Sequence, residues 1–244
     1  MTTYTVRLEA REEIAEGTMA FHFEKPDGFE FKPGQAIDVV LSRQTANPDD
    51  HSARHTFSIA SAPFQDELVV ATRMRDSVFK RALKSLPLGS QVTIAGPFGS
   101  LGLHNDRTRA GVFIAGGIGI TPFVSILRQA ARNRLQQRLI LLYSNRRPED
   151  AAFLAEMQQL SAQNENFRLV ATMTQMSASS PSSRPWAGQT GLITEQLLKS
   201  VVGDLAAPIF YVVGPPGMVE AMRQTLNRAG INDDDIRSEE FYGY

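Results

Sequence analysis

Near the middle of the chain the sequence reads FIAGGIGITP, residues 113–122. The apolar run 112–115 predicts a buried strand, and the glycines after it predict a tight turn. Thr121 is a suitable N-cap and Pro122 a suitable first helical residue, so a helix should start here. Glycines before a helix N-terminus let backbone N–H groups approach an anion, which the helix dipole also favours. The stretch therefore predicts a pyrophosphate site or a plain strand–helix turn, and its spacing is not the usual G-x-G-x-x-G.

Downstream of this stretch, strand-like apolar runs alternate with helical patterns. Such alternation predicts a parallel sheet with helices on both faces. The Ser/Pro-rich segment 175–189, which contains Trp186, is interpreted as a surface connection, with a lid over a binding site as the alternative. The predicted strands are 112–115, 139–143, 168–173 and 209–213, and the predicted helices are 123–134, 150–161, 194–200 and 218–229.

Upstream of the stretch, the chain is rich in short β patterns. Many short strands with turn residues between them predict an antiparallel barrel. The change of rhythm between residues 104 and 110 predicts two domains, 1–106 and 107–244. The predicted strands are 4–8, 18–23, 36–41, 55–60, 67–74 and 91–95, with a loop at 42–53 and one helix at 78–86.

The composition excludes several classes of protein. The 244 residues carry a formal net charge of −1 and include 42% hydrophobic residues, so charge does not indicate a nucleic-acid or anionic-membrane partner. The chain has no cysteine, which excludes disulfides, thiolate catalysis and a cysteine-ligated iron–sulfur cluster within it. We see no signal peptide at residues 1–7 and no apolar run near the ~18 residues of a membrane helix. We therefore expect a cytoplasmic protein with no nucleic-acid and no membrane partner.

Four motifs occur in a fixed order along nearly the whole chain, from about residue 4 to 241. They are RHTFSIASAP (residues 54–63), GGIGITP (116–122), GPPGM (214–218) and the carboxyl end SEEFYGY (238–244). Together they resemble the ferredoxin–NADP reductase superfamily of FAD-dependent oxidoreductases. The resemblance implies an antiparallel β-barrel FAD-binding domain, residues 1–106, followed by an α/β parallel-sheet NAD(P)-binding domain, residues 107–244.

The first motif corresponds to the family's Arg-x-(Tyr/Phe)-(Ser/Thr) on a barrel strand. The resemblance implies that Phe57 packs on the flavin and that the Ser58 hydroxyl lies near flavin N5, with Thr56 between His55 and Phe57 in the same strand. The arginine position is occupied by His55, and Arg54 is adjacent, so either can be the phosphate partner. The alternative is that Phe57 is a core residue and Ser58 is merely exposed.

A second flavin motif in the family is a strand followed by a short helix whose N-terminal amides hold the FAD pyrophosphate. Here the helix start aligns with Lys80, and Ser77 replaces a glycine. A cation beside a helix N-terminus suits a dianionic pyrophosphate. Lys80, Arg81 and Lys84 also share one helical face, which indicates a solvated face or a docking patch for an acidic electron carrier. The residues implied in cofactor binding here are Thr72, Arg73, Met74, Ser77, Phe79 and Lys80.

The sheet domain of the family binds NAD(P)H at the carboxyl ends of its strands. Ser144 and Arg146 would contact the 2′-phosphate, which favours NADPH over NADH; the alternative is that Arg146 and Arg147 only cap a loop. The family's Cys-Gly-Pro is Val213-Gly214-Pro215 here, so the thiol is missing, yet hydride transfer depends on orientation more than on that thiol. The residues implied at the pyrophosphate and the nicotinamide are Gly116, Gly117, Gly119, Thr121, Pro122, Gly214 and Pro215.

The carboxyl end resembles the family's terminal Glu-x-aromatic, in which the aromatic ring shields the flavin. Glu239 with Phe241 fits this pattern best, and Tyr244 is the second candidate; the alternative is an edge strand with a frayed tail. With Ser58, Glu239 and Phe241 as candidate catalytic residues and no metal, the chain is predicted to be an FAD-dependent NAD(P)H oxidoreductase. Its acceptor would be an external ferredoxin, flavodoxin or oxygenase component. The alternatives are a reductase of free flavin, ferric chelates or quinones, and a non-catalytic nucleotide-binding or redox-sensing module.

Overall fold

The computed structural model describes residues 1–41, 54–176 and 185–242. Its first part is a six-stranded antiparallel sheet with strand order β4-β3-β6-β1-β2-β5. A bridge between Ile59, just after β4, and Val70 of β5 joins the two ends of that order, so the sheet closes into a barrel. The elements are β1 (Thr3–Ala15), β2 (Thr18–Glu24), β3 (Ala36–Val40), β4 (Arg54–Ser58), β5 (Glu67–Arg73), α1 (Val78–Ser85) and β6 (Gln91–Phe98).

The helix α1 closes one side of the barrel because its apolar residues lie on one face. Phe79, Leu83 and the following Leu86 are buried in the same cluster as Phe57 and Ile59. Burial of these side chains against the barrel stabilises a helix that is too short to be stable alone. The first turn of α1 is thereby held beside the ends of β4 and β5.

The second part is a six-stranded parallel sheet with strand order β10-β9-β8-β7-β11-β12. Short 3₁₀ turns at Gly117–Ile120, Pro148–Asp150 and Asp233–Asp235 precede α2, α3 and β12. The elements are β7 (Gly111–Gly116), α2 (Thr121–Arg132), β8 (Leu139–Asn145), α3 (Leu154–Gln163), β9 (Phe167–Met173), β10 (Gln189–Thr190), α4 (Glu195–Val202), β11 (Ile209–Gly214), α5 (Pro216–Arg228) and β12 (Ile236–Glu240).

Side chains of this sheet alternate between two apolar layers, as expected for strands buried on both faces. Phe113 and Leu141 pack in one layer with α2 and α3, whereas Ile114 and Leu142 pack in the other with α4 and α5. From β7 the chain runs to β8 on one side and later returns to β11 on the other side. The carboxyl ends of β7 and β11 therefore form a topological switch point, where ligands bind in open α/β sheets.

Small side chains let the two parts pack closely. Ala60 and Ala71 belong to a buried patch on the outside of the barrel, and Ile118 of the glycine turn packs against it together with Phe153. The Ser125 hydroxyl of α2 donates to the carbonyl of Ser61 at 2.7 Å, and one Arg128 nitrogen donates to the carbonyl of Ala60 at 3.0 Å. The start of α2 is thus held against the chain that follows β4.

The architecture predicted from the sequence is confirmed: an antiparallel barrel precedes a parallel sheet with helices on both faces. The strands of the first sheet end at Phe98 and those of the second begin at Gly111; the boundary at 106/107 stays a prediction. The strands β10 and β12 were missed as strands because their sequences are polar, although an edge strand was the alternative for residues 238–244. The predicted loop 42–53 lies outside the described residues.

The N-cap expected at Thr121 was wrong. The chain makes a 3₁₀ turn at Gly117–Ile120 before α2, so Ile120 caps the helix and Thr121 is its first residue. The Thr121 hydroxyl donates to the carbonyl of Ile118 at 3.1 Å instead of accepting from the helix. In the part of the chain that the structure describes, no helix has both the length and the apolar character needed to cross a membrane.

Candidate functional site

A cavity of about 610 Å³ opens between the barrel, the glycine turn and the carboxyl end of the chain. It is flanked by β4 and β5, by the start of α1 and by the end of β12. Many of the residues singled out in the sequence meet here although they come from four separate motifs. Those that line the cavity are Arg54, His55, Thr56, Phe57, Ser58, Thr72, Arg73, Lys80, Thr121, Glu239 and Phe241.

Alternation along β4 separates Arg54 from His55. Arg54 and Thr56 both donate to the buried carboxylate of Asp38 on the neighbouring strand. His55 stacks on the ring of Phe57, with centroids 4.7 Å apart and planes 15° apart. Burial lowers the pKa of His55, and the nearby Lys80 charge also lowers it, so its imidazole is biased to the neutral form. Neither Arg54 nor His55 is therefore an unpaired cation in this cavity.

Lys80 is a buried cation at the first turn of α1. The Ser77 side chain caps this helix by accepting from the Lys80 N–H at 3.2 Å. Lys80 as a whole residue is 6% exposed, and its ammonium donates to the carbonyl of Arg73 at 2.8 Å. Burial lowers the pKa of Lys80, with a smaller contribution from Arg75. The prediction that Lys80 belongs to a solvated face or to a docking patch was therefore wrong, because its side chain points into the protein.

Arg73 lines the cavity, but its guanidinium binds the sheet domain. It donates to the carboxylate of Asp150 at 3.0 Å, across the junction between barrel and sheet. Met74 packs against the barrel core. Phe79 is buried in the same core, and its ring centroid lies 5.4 Å from that of His55. Met74 and Phe79 are thus near the cavity without lining it.

The glycines at the switch point are explained by contact between two turns. A Cβ atom at Gly116 would lie 2.3 Å from the sulfur of Met218, and one at Gly119 would lie 2.5 Å from the carbonyl oxygen of Val213. Gly214 faces the backbone of Gly116 in the same way. The turn after β7 and the turn after β11 are therefore packed backbone to backbone. Gly117 alone among the residues of the first turn adopts a positive φ, of 52°.

The remaining residues predicted at these turns flank the cavity. Pro122 is buried in the first turn of α2, and Pro215 directly precedes α5 as its N-cap residue. Both prolines occupy positions at which a missing N–H costs no helical hydrogen bond. They start two helices whose N-termini face the switch point.

The predicted 2′-phosphate residues lie at the carboxyl end of β8 and not in the cavity. Ser144 is half-buried and Arg146 is exposed. Arg147 is engaged by Asp150 at 3.0 Å, by Glu16 at 3.2 Å and by Glu149 at 3.5 Å. The loop-capping alternative thus describes Arg147, whereas Arg146 has no acidic partner in the described ranges.

The carboxyl end of the chain forms one wall of the cavity. The N–H of Phe241 donates to the carbonyl of Gly214 at 2.9 Å, which holds the chain end against the second turn. Burial raises the pKa of Glu239, so this side chain keeps its proton to a higher pH than an exposed glutamate. Tyr242 is exposed and bonds to Glu240. Tyr244 lies outside the described residues.

Sequence reasoning missed three residues that shape the site. Gly34 was interpreted only as part of a turn, yet a Cβ atom there would lie 1.8 Å from the carbonyl oxygen of Leu101. Asp38 and Asp150 each bind an arginine of the cavity wall. Gly34 had a signal in its Pro-Gly turn, whereas Asp38, an isolated aspartate in an apolar strand, only hints at a buried ion pair.

Residues 113–224 match the family described as "Oxidoreductase NAD-binding domain". A ferredoxin NADP+ reductase from Neisseria gonorrhoeae, solved with bound FAD and NADP, superposes with a TM-score of 0.78 at 22% identity, covering 98% of each chain. The whole chain therefore has the two-domain fold of this reductase.

Two curated proteins that the chain resembles are, by name, reductases of oxygenase systems. The glycine betaine monooxygenase reductase subunit of Chromohalobacter salexigens is 25% identical over 227 residues, covering 92% of this chain and 60% of that protein. The propane 2-monooxygenase reductase component of Rhodococcus jostii is 26% identical over 221 residues, covering 89% of this chain and 57% of that protein. The chain spans about 60% of the length of these relatives.

Proposed function

We propose that this chain is an FAD-dependent NAD(P)H reductase that passes electrons to an external one-electron acceptor. The observation that carries the proposal is the single cavity that joins Phe57 and Ser58 of the barrel to Ile118 and Thr121 of the glycine turn. When bound, FAD supplies two-electron chemistry toward NAD(P)H and one-electron chemistry toward the acceptor, while the protein supplies binding and orientation.

Lys80 is the proposed partner of the FAD diphosphate. Four basic residues line the cavity, and Asp38 engages Arg54 while Asp150 engages Arg73. His55 is biased to the neutral form by burial. Lys80 donates to one carbonyl and keeps two further N–H groups beside the first turn of α1. A buried cation at a helix N-terminus suits a diphosphate, so the residues present fit this part of the cofactor.

Phe57, Ser58 and Thr72 would hold the ring system. Phe57 offers an aromatic surface, and the hydroxyls of Ser58 and Thr72 line the same cavity. The main-chain bond from Phe241 to Gly214 holds a second aromatic residue in the wall of the same cavity. A flat, polar-edged ring can be packed between such surfaces while its edges bond to hydroxyls.

Glu239 would hold a proton beside the reacting groups. It lines the cavity, and its burial favours the protonated form. A carboxyl group with a raised pKa keeps its proton to a higher pH, which suits it to deliver a proton to a reacting group. Ser58 lines the same cavity, and its hydroxyl can donate or accept a hydrogen bond there.

The nucleotide would bind at the switch point formed by Gly116–Thr121 and Gly214–Pro215. Val213 in place of cysteine removes a thiol but leaves the packed turns that position the donor. Arg146 is proposed to contact the 2′-phosphate of NADPH, because it is exposed while Arg147 is neutralised by carboxylates. We therefore favour NADPH over NADH.

The acceptor is proposed to be a ferredoxin, a flavodoxin or an oxygenase component. The two curated relatives are reductase parts of monooxygenases, which favours the oxygenase component. The cytoplasmic location expected from the sequence remains a prediction.

The proposal is tested by adding FAD and then nucleotide to the purified chain. We expect stoichiometric FAD binding and loss of the oxidised flavin absorbance when NADPH or NADH is added without oxygen. We also expect Arg146→Ala to raise the KM for NADPH by about fivefold or more while leaving that for NADH nearly unchanged, because one charge-assisted pair is lost.

The controls separate the alternatives. Failure to bind FAD, or bound flavin that neither nucleotide reduces, would leave the non-catalytic module. Reduction of cytochrome c that is independent of an added ferredoxin or oxygenase component would favour a reductase of small acceptors. Equal effects of Arg146→Ala on both nucleotides would remove Arg146 from 2′-phosphate recognition.

A further inference from the structure

A buried ion-pair cluster joins the wall of the cavity to the segment that follows β8. The carboxylate of Asp150, with a side chain 2% exposed, lies at its centre. One carboxylate oxygen of Asp150 accepts from Arg73 at 3.0 Å and from Arg147 at 3.0 Å, and the other accepts from Arg147 Nε at 3.1 Å. Asp150 therefore binds one arginine from each part of the molecule.

The same segment is tied to the barrel by its main chain. The N–H of Glu16, in the turn between β1 and β2, donates to the carbonyl of Glu149 at 2.8 Å. The Glu16 carboxylate lies 3.2 Å from Arg147. Residues 147–149 thus make two contacts with Glu16 of the barrel that do not involve the cavity.

The position of Arg73 gives this cluster a meaning beyond stability. Its side chain lines the cavity, and its carbonyl accepts from Lys80, the cation proposed for the diphosphate. The Asp150 carboxylate neutralises Arg73, so it lowers the positive potential at the cavity wall. Asp150 also binds Arg147, which directly follows Arg146, the residue proposed for the 2′-phosphate.

We propose that Asp150 is a positioning residue that couples the two cofactor sites, by holding Arg73 away from the diphosphate and by holding the 144–147 segment against the barrel. This inference rests on the proposed function. It concerns no contact of Asp150 with a cofactor, because both of its oxygens are occupied by arginines.

The inference predicts opposite effects at the two sites for Asp150→Asn. Loss of the charge frees Arg73 beside the cavity, so FAD binding becomes tighter. Loss of the arginine bridge releases the segment, so the nucleotide KM rises by about fivefold or more, while kcat changes by less than about twofold because orientation at the switch point is kept. A purely structural aspartate would weaken both cofactors together.

A double-mutant cycle identifies Arg73 as the route. Arg73 lies in the cavity wall, whereas the segment that it supports lies outside that wall. Arg73→Gln is nevertheless expected to raise the nucleotide KM. The double variant is expected to have a KM no higher than Asp150→Asn alone. If the two substitutions acted independently, the effect of the double variant on the nucleotide KM would equal the product of the two single effects, to within about twofold.

The experiment uses the full chain, with FAD affinity measured by quenching of flavin fluorescence and nucleotide binding by difference spectra with oxidised NADP and NAD. Asp150→Glu should restore part of the nucleotide affinity. Asp235→Asn is the matched control, because it breaks another aspartate–arginine bridge, to Arg109, and should leave nucleotide KM unchanged. If Asp150→Asn does not fold, Glu16→Gln and Arg73→Gln decide, both with a raised nucleotide KM expected.

The outcomes distinguish the inference from the function on which it rests. Wild-type protein that binds and reduces FAD, combined with an unchanged nucleotide KM in Asp150→Asn, overturns the inference alone. The same holds if FAD and nucleotide affinities fall by equal factors, or if the single effects multiply in the double variant. Wild-type protein that binds no FAD overturns the proposed function and the inference together.

Discussion

A Cβ atom at Gly119 would lie 2.5 Å from the carbonyl oxygen and 2.7 Å from the carbonyl carbon of Val213. Both are backbone atoms, so a larger side chain cannot be accommodated by a change of rotamer. The glycine pattern was interpreted as room for a phosphate, yet its first requirement is contact between two turns. The close approach of the turns also leaves the N-termini of α2 and α5 side by side at the switch point.

We predict that Gly119→Ala destabilises the fold by about 1–3 kcal/mol, because it overpacks a contact made by backbone. Gly217→Ala is the matched control, since nothing lies within 4 Å of a Cβ atom there and the residue is in the first turn of α5. That control should be neutral or stabilise by up to about 1 kcal/mol. Urea unfolding of both variants checks this, and equal stability of the two would contradict the packing explanation.

At the scale of the element, α1 combines a structural and a binding role. Ser77 accepts from the Lys80 N–H, and Phe79 and Leu83 anchor the helix in the barrel core. This arrangement brings the Lys80 ammonium under the protein surface, which a helical wheel of basic residues does not reveal. The apolar residues set the orientation of the helix, and this orientation places Lys80 below the protein surface.

We predict that Ser77→Ala lowers the free energy of unfolding by about 1 kcal/mol through loss of the cap. It should also weaken FAD binding by about two- to fivefold, because the first turn of α1 frays beside the diphosphate. Thr194→Ala, which removes the equivalent cap of α4, should cost similar stability without changing FAD affinity. Similar losses of FAD affinity in both variants would place the diphosphate elsewhere.

At the scale of the whole molecule, the connection between barrel and sheet is a buried polar cluster. The His104 N–H donates to the hydroxyl of Tyr211 at 2.8 Å, and the same hydroxyl lies 2.9 Å from His104 Nδ1. A neutral imidazole can accept the proton of this hydroxyl at Nδ1 and donate from Nε2 to the carbonyl of Arg109 at 3.1 Å. Burial lowers the pKa of His104, and the charges of Arg237 and Arg109 add to this.

We predict that stability falls as the pH drops below 6.5, the ordinary histidine value. The folded-state pKa of His104 is lower than its unfolded value. On acidification the unfolded chain therefore takes up the proton first, and this lowers the free energy of unfolding. His104→Gln should be less stable than wild type at pH 8, and the gap should narrow at lower pH. Urea unfolding across this range checks the prediction; a gap independent of pH would mean that His104 does not titrate differently on unfolding.

The order of elements was readable from the sequence because it depends on local patterns. Apolar alternation, the glycine turn at 116–119 and Pro122 each act over a few residues, so the barrel and the parallel sheet were predicted correctly. The motifs of the site could likewise be ordered along the chain. The polar strand β12 was not recognised as a strand because its stability comes from pairing with β11 and not from its own pattern.

Only the tertiary structure decided which of the basic residues are free. Arg73 and Asp150 are 77 positions apart and meet because the 3₁₀ turn after β8 packs on the barrel. Asp38 engages Arg54 across two strands in the same way. An ion pair depends on distances of a few ångströms between residues that no local pattern relates, whereas a turn or a helix start depends on its own neighbours. The sequence by itself therefore determined where each element and motif lies, and the packing left Lys80 as the available cation of the cavity.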